Sequence, residues 1–181
     1  MPRIRELTSR DDLPEEQHPI FDTIAESRGR VAIPFSLLLN SPEVAGRVAH
    51  LGAYLRFESV LSPVLREIAI LTAARESDCT FEWAAHVRIG RQEGVRDETV
   101  EVIRSRGPLG HLPDDERLVI AYGRELLGGH RVSDETFQAA RQRFGDQGTV
   151  DLTATLGYYA MMACVLNAFE AQPPSGWPSL D

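Results

Sequence analysis

Ser41-Pro42-Glu43 and Ser62-Pro63 carry the same instruction twice. Each sets a residue able to cap a helix before a proline at the first helical position, where the missing N–H costs nothing. Pro113-Asp114-Asp115-Glu116 and Ser133-Asp134-Glu135 add helix starts rich in acids, which the helix macrodipole favours. The stops are equally regular: Gly29, Gly94, Gly107-Pro108, Gly128-Gly129 and Gly145. This punctuation predicts helices over 14–27, 42–57, 63–75, a segment capped by Asp78 and running to Glu93, a short helix from Asp97, and helices from 114, from 133 and over 147–171. Val31–Leu39, with Pro34 inside it, is expected to form a loop and a short turn, and 172–178 a non-helical tail. No segment alternates like a strand between hairpin turns, so the expected fold class is all-α.

The last helix constrains the packing. Leu152 to Phe169 is uncharged, and Leu156, Tyr158, Tyr159, Met161, Met162, Val165, Leu166 and Phe169 leave it apolar nearly all round. The run falls a little short of the ~20 residues a bilayer span needs and contains Asn167, so a buried core helix or an oligomer interface is expected, with Cys164 inert inside it.

Charge and cysteine content exclude some function classes. Acids outnumber basic residues 27 to 19, every basic residue is arginine, and a net charge of −8 argues against a nucleic-acid backbone as partner. Two cysteines, Cys79 and Cys164, do not make a disulfide framework. The segment Met1-Pro2-Arg3-Ile4-Arg5-Glu6 has no apolar signal core, and a cytoplasmic location is expected, without membrane association.

The chemistry concentrates in S-D-C-T-F-E-W-A-A-H-V-R-I. Cys79, Glu82 and His86 stand at i, i+3 and i+7, within an arc of about 60° on one helical face. Cys79, at the helix N-terminus, can gain thiolate character, while Glu82 one turn on opposes it; the bland alternative is a small buried residue. His86 can act as general acid or base, or simply pack and bond Glu82 at i−4. Glu67, on the preceding helix, lies on or beside an apolar stripe with Val64 and Leu71, where a carboxylate is either paired or raised in pKa. His18, His50, His111 and His130 are scattered and read as surface or capping residues; Arg88 and Arg91 read as a solvated basic face. No H-E-x-x-H and no paired cysteines suggest a metal.

Together Glu67, Cys79, Glu82 and His86 form E-x11-C-x2-E-x3-H. With L-S-P-x-L-R-E before it (Leu61 to Glu67) and G-Y-Y-A…N-A-F after it, this resembles the carboxymuconolactone decarboxylase and alkylhydroperoxidase D-like superfamily over about Pro34 to Phe169. The resemblance implies packed helical hairpins in a homo-oligomer, a trimer or hexamer with sites near subunit interfaces. It divides the chain into an N-terminal helical arm (1–33), the family domain (34–171) and a Pro-rich tail (172–181). It implies one of two chemistries. Peroxidase members use C-x-x-C, with the second cysteine attacking peroxide; here that position is Glu82. Decarboxylase members use a Glu four residues before the His, as Glu82 and His86 stand here, and need no metal or organic cofactor. The leading expectation is therefore a cofactor-independent acid/base lyase acting on a small lactone or related carboxylic acid, with Glu67, Glu82 and His86 as its working groups and Cys79 as an open member. A Cys79-dependent peroxidase and a non-catalytic ligand-binding oligomer are the alternatives.

Overall fold

The computed structural model describes residues 2–181; their regular structure is helical, with no strand among the described residues. Eight α-helices follow in order: α1 (His18–Arg28), α2 (Ile33–Leu38), α3 (Pro42–Phe57), α4 (Pro63–Glu76), α5 (Thr80–Glu93), α6 (Asp97–Arg104), α7 (Asp114–Gly129) and α8 (Asp134–Ala168). The chain divides into two compact units. Among the described residues, one comprises 2–58 and 165–172, the other 59–164 and 173–181.

In the first unit α3 receives both α1 and α2. Ile24, Leu37, Ala45 and Leu55 are buried there. Arg28 crosses from α1 to donate to the Ala49 carbonyl at 3.0 Å and lies over the Phe35 ring at 4.3 Å. The expected loop over Val31–Leu39 is instead α2. Pro34 falls in its first turn, where no intrahelical N–H bond is lost, so the residue taken as a breaker is a starter.

The second unit is built around α4, which packs on α5, α6 and α7. Every residue from Glu67 to Ala74 is buried. Ser62 caps the helix, its hydroxyl accepting from the Leu65 N–H at 3.4 Å. The unbroken buried run is thus on α4, not on the last helix. On α8, Val150, Gly157 and Cys164 are exposed, so Cys164 is a surface thiol and the all-round cover expected for that helix is absent from this chain. By length and composition α8 could cross a bilayer, but 56% of its most apolar window is buried in the protein, as in a core helix. Its helical geometry breaks at Gly145 (φ 71°, ψ −179°), where the sequence predicted a stop; a side chain there would be strained.

Small residues let α4, α7 and α8 approach closely. A Cβ on Gly123 of α7 would sit 2.7 Å from Thr72 Cγ2 and 3.0 Å from Leu156 Cδ2. Thr72 cannot turn away freely, because its hydroxyl donates to the Ile68 carbonyl at 2.8 Å. Gly123→Ala should therefore lower stability by up to about 2 kcal/mol: overpacking of about 1–3 kcal/mol outweighs the ~1 kcal/mol gain in helix propensity. Urea denaturation measures this, and a variant as stable as wild type would show that the junction can relax.

Candidate functional site

Two adjacent helices of the second unit bring the acid/base groups together. Glu67 sits one turn into α4, and Glu82 and His86 lie one turn apart on α5. The close approach comes from Gly90, one turn beyond His86: a Cβ there would lie 3.6 Å from the Glu67 Cβ and 3.3 Å from Val95. Across this contact His86 Nδ1 meets Glu67 Oε2 at 2.7 Å. Along the helix His86 Nε2 meets Glu82 Oε2 at 3.2 Å. Both ring nitrogens therefore face carboxylates, which is the pattern that suits an imidazolium, with two N–H donors and no lone pair.

All three groups are buried: Glu67 is 1%, Glu82 4% and His86 5% exposed. Burial pulls the His86 pKa down. The charge and hydrogen bond of Glu67, then the hydrogen bond and charge of Glu82, outweigh it, and the pKa rises to about 9. His86 is consequently protonated at neutral pH and able to give a proton.

Cys79 stands at the N-cap of α5, the place expected of Asp78. Asp78 instead adopts a left-handed conformation (φ 44°) and is held by Arg75 and Arg106 at 2.7 and 3.4 Å, so its side chain turns toward those cations and not toward the helix start. The Cys79 thiol has no exposure. Burial pushes its pKa up to about 11, helped by the charge of Glu82; the backbone N–H groups of Glu82 and Phe81 pull the other way without prevailing. The helix N-terminus does not make this cysteine a thiolate, because desolvation exceeds the helix contribution. Cys79 and Cys164 are both free thiols.

Sequence reasoning did not assign a role to the residue that closes this site. Tyr159 of α8 packs edge-on against His86, ring centroids 5.1 Å apart at 81°, and Tyr158 packs against Tyr159 in the same manner at 5.3 Å. Both were visible only as members of an apolar run, and nothing in their spacing pointed to His86. The remaining histidines stand apart from this cluster: His18 bonds the Leu13 carbonyl, His111 pairs with Glu98, His130 ends α7 in a left-handed turn, and His50 is exposed. Among the described residues no group of three or more His, Cys, Asp or Glu side chains is arranged to hold a metal ion.

Residues 42–121, which contain Glu67, Cys79, Glu82 and His86, match the model of the carboxymuconolactone decarboxylase family. Over this segment the chain is similar to that family. Similar folds also appear among solved structures. An uncharacterized peroxidase-related protein from Silicibacter sp. TM1040 matches at 19% identity and a TM-score of 0.76, with 100% of each chain covered. The alkylhydroperoxidase AhpD core of a peroxidase-related protein from Ralstonia eutropha JMP134 matches at 17% identity and a TM-score of 0.78, covering 96% of this chain and 93% of that one. The debrominase Bmp8, solved with 2,3,4-tribromopyrrole as a cysteine-to-alanine variant, matches at 14% identity and a TM-score of 0.72, covering 97% and 95%. At these identities the likeness shows a shared fold. No curated protein matches the chain.

Proposed function

We propose that this carboxymuconolactone decarboxylase-like protein is a cofactor-independent acid/base enzyme, a lyase acting on a small lactone acid or related carboxylic acid. The observation that carries the reading is His86 held as an imidazolium between the buried carboxylates of Glu67 and Glu82. In the proposed step the carbon–carbon bond to the substrate carboxylate breaks and carbon dioxide leaves. The bonding electron pair delocalises into the lactone carbonyl. His86 then delivers its proton to the resulting carbanion and is reprotonated from solvent. Glu82 orients the ring, and Glu67 supports its charge. Incubation with 4-carboxymuconolactone and close analogues, with product and carbon dioxide followed by mass, tests this. Turnover by wild type that His86→Ala lacks is expected; no turnover by wild type, or equal turnover by both, rejects it.

A thiol reaction at Cys79 is the second reading, favoured by the fold shared with peroxidase-related proteins and a debrominase. Its requirement is a reactive thiol, and a fully buried group with a pKa near 11 is a poor nucleophile at neutral pH. Under native conditions iodoacetamide should label Cys164 and leave Cys79 unmodified until denaturant is added, as read by peptide mass. Cys79 oxidised by an alkyl hydroperoxide with peroxide consumed would instead establish the thiol reading. Ligand binding without turnover would point to a non-catalytic role. The exposed face of α8 through Val150, Gly157 and Cys164 supports a contact between subunits of a trimer or hexamer in the cytoplasm; a monomer by light scattering would reject that assembly.

A further inference from the structure

Residues 173–181 lie outside the segment that matches the family model and form no helix, yet they grip the helix that carries His86. The Trp83 Nε1–H donates to the Ser179 carbonyl at 2.9 Å. The Arg88 guanidinium lies 4.4 Å from the centre of the Trp177 ring, and Phe81 packs on the same ring with centroids 6.5 Å apart. Leu180, next to the bonded carbonyl, is 4% exposed.

These contacts take hold of α5 on two sides. Phe81 and Arg88, seven positions apart, fall within about 20° of each other around the helix, on the side away from His86. Trp83 lies about 60° from His86, on the edge of the face that carries the acid/base groups. The tail therefore runs from the back of α5 to the rim of its working face. A rotation of α5 would move the His86 ring relative to Glu67, whose position is set by a different helix, and the 2.7 Å bond between them tolerates little displacement.

We propose that the C-terminal tail is a clasp that sets the rotation of α5, with Trp177 and the Trp83–Ser179 bond as positioning elements for His86. Arg88, exposed as the sequence suggests, anchors this clasp by its cation–π contact. Trp83, one turn from the imidazole, transmits the tail's hold to the site. The inference rests on the site geometry and not on any particular substrate.

The test follows His86 itself. Proteins with 15N-labelled histidine would be prepared as wild type, Trp177→Ala, Trp177→Phe, Trp83→Phe and a chain ending at Gln172. The groups facing the His86 ring are Glu67 from α4, Glu82 from its own helix and Tyr159 from α8; none is altered by these changes. Trp177→Ala, Trp83→Phe and the truncation should each shift the His86 ring nitrogen resonances, lower its titration midpoint and speed amide exchange along α5 by at least tenfold. Trp177→Phe, which keeps an aromatic face for Arg88, should restore most of the wild-type behaviour. Should the truncated chain fail to fold, the three point variants carry the test. A His86 titration and α5 exchange unchanged in Trp177→Ala and Trp83→Phe would overturn the clasp. This readout needs no turnover, so it stands or falls separately from the proposed lyase activity.

Discussion

His86→Ala should lose 10²–10⁴-fold in turnover, the usual contribution of a positioned acid/base group, and should also lose stability. The second effect follows from the surroundings. Glu67 and Glu82 both aim at the imidazole from buried positions, and its removal leaves two carboxylates without their shared cation. Breaking a buried pair in this way costs about 3–5 kcal/mol near neutral pH. The loss should shrink on acidification, because protonating the carboxylates removes the uncompensated charge. Wild type should show the opposite signature at alkaline pH. Its His86 pKa is raised from 6.5 to about 9, so the unfolded chain releases this proton first. The stability linked to it is fully present below pH 6.5 and is lost as pH rises through 9, an effect of about 3 kcal/mol for a shift of this size. Urea midpoints measured between pH 5 and 10 check both signs. A wild-type midpoint no more sensitive to pH from 6.5 to 9 than that of His86→Ala would contradict the imidazolium assignment.

Glu67→Gln should produce the next largest change. The substitution keeps an acceptor of nearly the same shape and removes the charge that contributes most to holding His86 protonated. The His86 titration should move down by a unit or more, and the alkaline limb of activity with it. A shift of one unit is a tenfold change in the protonated fraction at pH values above both midpoints. Activity should therefore fall about tenfold near pH 10 and about fivefold near pH 9, while activity at neutral pH falls less. Glu82→Gln should act in the same direction but more weakly, since its contact is 3.2 Å against 2.7 Å for Glu67 and its contributions rank below those of Glu67. NMR titration of the imidazole in both variants decides the order. A larger shift in Glu82→Gln would mean that the bond between the two helices is not the dominant one.

These two variants also separate what could be read along the chain from what could not. The Glu82–His86 pair follows from one turn of helix, so its geometry was available as soon as α5 was recognised. The helix starts at Pro42 and Pro63 were legible for the same reason, because a proline at the first helical position acts through local backbone sterics. Pro34 shows the limit of that reading: the same residue type breaks a helix or begins one, depending on which turn it occupies. Cys79 shows a second limit. Its place at the start of α5 was evident, but a helix N-terminus and burial act in opposite directions on a thiol, and only the enclosure of the side chain decided that burial prevails.

By itself the amino-acid sequence determined an all-helical chain and the face of α5 on which Cys79, Glu82 and His86 stand together. Each of these depends on interactions within about one helical turn, whose spacing is the same in any context. The tertiary structure alone decided that Glu67 reaches across nineteen positions to His86, that Tyr159 closes the imidazole from α8, and that residues 173–181 fasten the helix from outside. Those outcomes depend on how closely helices approach and which groups lose their water. Both are set by side chains such as Gly90 and Gly123 that carry no reactive group at all.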